Sequence, residues 1–125
     1  MNRDDDNAVL KKSYEFALLA IRLCKKLTEE QKEYILSKQL LRSGTSIGAN
    51  VTEAQSAESK SDFVHKLNIA LKEARESKYW LRLLLDGMYA QSGDIEPLLA
   101  EIEEIISLLV AIITSSKRPK NNSAF

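Results

Sequence analysis

The chain of 125 residues is predicted to be all-α, an antiparallel up-down-up-down four-helix bundle. Three observations lead there. Long segments carry apolar residues at alternating steps of three and four, the period of a helix. Only four glycines and two prolines punctuate them, and both Pro97 and Pro119 lie towards the C-terminal end. No alternating run bounded by turn residues offers a strand. Hydrophobic residues at 44% and charged residues at 29% give a globular balance, and the length suits one domain. The predicted organisation is a polar tail over 1–7, the bundle over 8–115 and a disordered tail over 116–125.

Asp6 or Asn7 is expected to cap a first helix from about Ala8 to Leu27. Val9, Phe16, Ala20, Leu23 and Leu27 form one stripe of it, and Leu10, Tyr14, Ala17, Ile21 and Cys24 the adjacent one. A face that broad suits a helix with two neighbours. Thr28, with Gln31 three residues on, has the spacing of a capping box for a second helix that continues to about Ala57. Its apolar stripe is Leu36, Leu40, Ile47 and Val51. Gly44 and Gly48 each cost up to about 1 kcal/mol in mid-helix, which leaves room for a kink or a short break near Gly44.

Ser59 or Ser61 is expected to cap a third helix, with Asp62 in its first turn. Phe63, Leu67, Ala70, Ala74, Ser77, Leu81, Leu84 and Met88 make a heptad-type seam with small residues at its centre. Asp86-Gly87 begins its close. Asp94 then caps a fourth helix with Pro97 in the first turn, where a missing N–H is harmless. Ile105 to Ile113 is apolar nearly all round, yet far shorter than the ~20 residues a membrane span needs. Trp80, Leu83, Leu108 and Val110 exceed what one bundle core covers, so they are the expected oligomer interface.

A second face of the second helix carries Gln39, Arg42, Ser46, Asn50 and Glu53, again at steps of three and four. It is expected to be a hydrogen-bonding seam against another helix, with the two glycines letting backbones approach. Gly44-Thr45-Ser46-Ile47-Gly48 is no phosphate loop, because it lacks the Gly-Lys-Ser/Thr and a preceding strand.

Net charge is zero, so the whole chain carries no argument for nucleic acid. Its distribution is uneven. The first helix holds Lys11, Lys12, Arg22, Lys25 and Lys26 against Glu15, while Glu96, Glu101, Glu103 and Glu104 dominate the fourth. The two are expected to attract, within or between subunits. Cys24 sits among apolar residues and is expected to be a buried, unreactive thiol. His65, the single histidine, has no Cys or acidic cluster to make a metal site or a triad. Glu101, Glu103 and Glu104 lack the Glu-x-x-His of di-iron bundles. Arg42 and Glu53 stand ~16 Å apart on one helix, too far for an acid–base pair. The expectation is a non-enzymatic protein with no catalytic residue, cofactor or metal, and, without a signal-peptide pattern, a cytoplasmic one.

The stretch LRSGTSIGANVTEAQSAESKSDFVHKLNIALKEARESKYWL resembles the bacterial four-helix-bundle family of the 23S ribosomal RNA intervening-sequence proteins. The likeness rests on Arg42, Ser46-Ile47, Asn50-Val51, Glu53, Ser59-Lys60-Ser61, Asp62-Phe63 and Ile69-Ala70. It implies a left-handed bundle assembling as a ring, commonly a homopentamer. It also implies kinship with the accessory variability proteins of diversity-generating retroelements, which bind a reverse transcriptase and nucleic acid through basic surfaces.

Two function classes follow. One is a nucleic-acid-associated (RNA) accessory factor using Lys11, Lys12, Lys25 and Lys26 with Lys66, Lys72, Arg75, Lys78 and Arg82. The other is a protein-interaction scaffold, in which those cations only pair with Glu73, Glu76 and the acids of the fourth helix.

Overall fold

The computed structural model describes residues 3–117. They form four helices, α1 (Arg3–Glu30), α2 (Leu36–Ala54), α3 (Lys60–Asp86) and α4 (Ser92–Lys117), with no strand among the described residues. The fold is all-α. Each helix packs on its neighbours in the chain, and α4 returns to α1. Most of the expected stripes meet along the centre, where Phe16, Leu27, Leu40, Ile47, Leu67, Leu81, Leu84, Ile102, Ile105 and Leu109 are all essentially inaccessible to solvent. The second stripe of α1 stays mostly at the margin, with Leu10, Ala17 and Ile21 half-buried and Tyr14 68% exposed. At roughly 25 cal/mol per Å² of apolar surface, burial of this kind is the main stabilising term.

Several boundaries differ from the sequence expectation. α1 begins at Arg3, so residues 3–7 are helical, as suits an aspartate run at a helix N-terminus. It continues to Glu30, and Thr28 lies inside it, its Oγ1 donating to the Lys25 carbonyl at 3.0 Å instead of capping α2. The reversal falls at residues 31–35, where Lys32 takes a left-handed φ of 55°. Glu33 does the capping. Its Oε2 accepts from the N–H of Ile35 (3.0 Å) and Leu36 (2.9 Å), and its Oε1 from Ser37 N–H (2.7 Å). These donors belong to the start of α2, where no intrahelical acceptor exists.

α2 runs unbroken through Gly44 and stops at Ala54, before the expected Ala57. The glycine serves close approach, not a kink. A Cβ at Gly44 would lie 3.3 Å from both the Ala20 Cβ and Phe16 Cε2 of α1. Across the other side of α2, the hydroxyls of Ser43 and Ser77 bond at 2.8 Å with both residues fully buried, joining α2 to α3 at its small-residue centre.

Ser59 caps α3 as expected, accepting from Asp62 N–H at 3.0 Å. At its far end Gly87 stays right-handed, and the positive φ of 66° falls on the exposed Met88, so this residue does not extend the buried seam. Glycine at 87 answers a different need, since a Cβ would meet the Leu83 carbonyl oxygen at 2.7 Å. α4 begins at Ser92, so Asp94 lies in its first turn and Pro97 one turn later than expected. Ser116 and Lys117 are the last turn of α4, and the expectation of disorder at 118–125 lies outside the described residues.

Candidate nucleic-acid interface

The polar face of α2 points to α3, but along an open edge. Arg42, exposed, reaches Glu73 (Nη1–Oε1 3.3 Å) and also pairs with Glu76. Glu53 is exposed and pairs with Lys66 at 3.1 Å. Ser46 Oγ donates to the Arg42 carbonyl at 2.7 Å, and Asn50 Nδ2 to the Ser46 carbonyl at 2.9 Å. Gln39 is half-buried with no side-chain bond among the described residues. The residues share a face, as their spacing requires, yet two of the side chains bond back to their own helix. Since an exposed ion pair is worth at most about 1 kcal/mol, Glu53→Ala is expected to change stability by less than that in chemical denaturation. The larger loss that a buried seam would give is not expected there.

The lysines of α1 divide into two sets. Lys12 meets Glu104 (2.9 Å) and Glu101 (3.4 Å), and Lys26 meets Asp94 (3.0 Å), all on α4. The bond to Glu104 raises the Lys12 pKa against the opposing effect of burial, with the charge of Glu101 adding to the rise, and Asp94 raises that of Lys26. Two of the four α1 lysines thus meet acids of α4 within the chain. Lys11 and Lys25 are exposed with no ion pair among the described residues.

On α3 the division is sharper. Lys66 pairs with Glu53, and Lys78 with Glu103 at 2.8 Å. Lys72, Arg75 and Arg82 are exposed with no ion pair among the described residues. Steps of three and four place them on the face of α3 turned away from the core. Tyr79 stands on the same face, 57% exposed, between the two arginines. Arg75, Lys78, Tyr79, Arg82, Leu83 and Asp86 line one open cleft of about 440 Å³. Tyr79 stands outside the candidate residues named from the sequence, although it falls on the same 72, 75, 79, 82 spacing.

The expected oligomer residues do not gather on one patch. Trp80 is half-buried, its Nε1 donating to Glu76 Oε2 at 3.0 Å. Leu83 lines the outer cleft of α3, Leu108 a shallow one beside Ala8 and Lys12 of α1, and Val110 is 39% exposed. Larger exposure lies elsewhere, at Ile35 (75%), Tyr34 (58%) and Tyr89 (45%), with Met88 at 87%.

Cys24 is buried and its Sγ donates to the Ser37 carbonyl at 3.1 Å. Burial first, then the Glu33 charge, pushes its thiol up to about 11. His65 is exposed on α3. No three His, Cys, Asp or Glu side chains among the described residues are grouped to hold a metal ion. No helix among them is long and apolar enough to cross a membrane.

None of the curated proteins matches the chain. Among solved structures it is similar to a crystal structure of a protein with unknown function from the S23 ribosomal protein family of Bacteroides thetaiotaomicron. The two are 52% identical, with a TM-score of 0.86 over 88% of this chain and 98% of that one. The model of the 23S rRNA-intervening sequence proteins matches residues 5–111. With that match over most of its length, the chain belongs to the 23S rRNA-intervening sequence protein family.

Proposed function

We propose that this protein is a non-enzymatic helical bundle that assembles with copies of itself and associates with RNA as an accessory factor. The observation that carries the RNA reading is the division of the cations. Lys12, Lys26, Lys66 and Lys78 are paired with acids inside the subunit. Lys72, Arg75 and Arg82 remain together and exposed on one face of α3, with no ion pair among the described residues. Such a strip attracts phosphate without help from net charge. An up-down-up-down course of the helices is supported by the order of the ion pairs: Lys12 with Glu101 and Lys26 with Asp94, Arg42 with Glu76 and Glu53 with Lys66. The left-handed sense, the pentameric ring and a cytoplasmic setting rest on the family likeness and the sequence. A ring would repeat the strip by symmetry, so that weak sites act together.

The scaffold reading has its own support. Tyr34, Ile35, Met88 and Tyr89 expose apolar surface on the two connections, 31–35 and 87–91, which adjoin along a cleft lined by Gln31 and Tyr89. A fluorescence-anisotropy titration with RNA at ~50 and ~200 mM salt separates the two, because phosphate contacts weaken steeply over that range. Binding at the lower salt is expected, and Arg75→Gln/Arg82→Gln is expected to remove more of it than Lys12→Gln/Lys26→Gln. No binding by the wild type would leave the scaffold. Light scattering on the same sample tests assembly, and a monomer would end that part of the proposal.

A further inference from the structure

We infer that the outer cleft of α3 takes a single-stranded segment of nucleic acid, with an unpaired base stacked on Tyr79 and the flanking phosphates on Arg75 and Arg82. The inference rests on the RNA reading above and adds what kind of RNA is recognised and how. Cations alone would bind any phosphate backbone. The tyrosine ring is the discriminating element, because it offers a stacking face that only an unpaired base can use.

That ring is exposed but not loose. Tyr79 meets Trp80 edge-on, with centroids 5.2 Å apart and planes at 67°. Trp80 is held in turn by Glu76 through its Nε1, and Glu76 by Arg42 of α2. An aromatic platform fixed before binding loses less conformational freedom when a base settles on it. Leu83, 36% exposed, extends the apolar floor beside it.

Charge sets the path of the backbone. Arg75 and Arg82 are seven positions apart, ~10 Å along the helix, one on each side of the ring. Lys78 also lines the cleft, but Glu103 already neutralises it at 2.8 Å. Asp86 closes the cleft towards the helix C-terminus, where its carboxylate and the helix dipole both repel phosphate. The strand therefore tracks over the two arginines, and any group meeting Asp86 must be a hydrogen-bond donor such as a base amino group. An acidic peptide would satisfy the arginines but would meet the same repulsion at Asp86 and bring no flat base to stack on the braced ring.

The test compares an unstructured RNA oligomer with a blunt RNA duplex of equal length by anisotropy at ~50 mM salt. The single strand is expected to bind more tightly. Tyr79→Ala is expected to weaken it about ten-fold while leaving duplex binding unchanged, and Tyr79→Phe to preserve it, since stacking needs the ring and not the hydroxyl. Trp80, the sole tryptophan, should change its fluorescence on single-strand binding only. Tyr79 is on the surface, and unchanged thermal unfolding of its variants checks that the fold survives. Equal affinity for both RNAs, or indifference to Tyr79→Ala, would overturn the inference while leaving RNA association standing. Failure of both RNAs to bind would remove the two together. Preference for an acidic amphipathic peptide over either RNA would assign the cleft to a protein and overturn the inference as well.

Discussion

Glu33→Ala is expected to lower the free energy of unfolding by about 2–4 kcal/mol in chemical denaturation at neutral pH. The size comes from what the carboxylate holds. It accepts from three N–H groups at the start of α2, and the residue is only 7% exposed. Losing an ordinary N-cap costs up to about 2 kcal/mol, and a bond to a charged group up to about 3. Alanine would leave those donors with little water to replace it. The same residue gives a pH dependence of known sign. Burial pushes its carboxyl pKa up, but the N–H groups of Leu36, Ser37 and Ile35 outweigh that and hold it below the ordinary 4.5. A carboxyl depressed on folding contributes fully above its unfolded value and loses that contribution as the pH falls. Wild type should therefore lose stability below about pH 4.5 more steeply than Glu33→Gln does, and parallel curves for the two proteins would refute the role of the charge.

Gly44→Val is expected to cost about 3 kcal/mol. Even a single added carbon would stand 3.3 Å from Phe16 and from Ala20, and neither can retreat, since both are fully buried. Valine adds two further carbons on a stiff χ1, so α1 and α2 must separate or Phe16 must leave its rotamer. Helix propensity favours valine over glycine, but by less than the ~1 kcal/mol that separates glycine from alanine. A double-mutant cycle makes the argument specific. Phe16→Ala alone should cost about 3–5 kcal/mol through the space it leaves. With Gly44→Val the two losses should fall short of their sum by about 1 kcal/mol or more, because the new side chain partly fills that space. Additive losses would mean that the glycine is required for some other reason.

The helices are legible because their apolar residues obey one period without interruption, and the structure buries Phe16, Leu40, Leu67 and Ile105 where that period puts them. The first reversal is not legible. Thr28, Glu29, Glu30 and Gln31 are acceptable in a helix or before one, and the residue that turns the chain is Lys32, which carries no mark of a left-handed conformation. The cap then comes from a glutamate whose longer arm reaches three N–H groups, not from the Ser, Thr, Asp or Asn that a cap search seeks. Spacing places the polar face of α2 on the right side of its helix, but it gives direction and not depth. Glu53 and Arg42 therefore look like parts of a buried seam when both are exposed. On α3 the inward stripe draws attention to the core, and the complementary outward stripe holding Tyr79 goes unread. Charge follows the same rule. The attraction between α1 and α4 can be foreseen from composition, whereas only the fold shows which cations it leaves over.

The burial of Cys24 has a practical corollary. With its sulfur donating to the Ser37 carbonyl and its thiol pushed up to about 11, it presents almost no thiolate at neutral pH. A brief exposure of the native protein to an alkylating reagent should leave it unmodified, so a cysteine introduced at an exposed position such as Met88 takes up a dye or spin probe first. The native sulfur then becomes a clock for breathing motions. It lies between α1 and the first turn of α2, and its slow modification under native conditions would time how often that pair of helices parts.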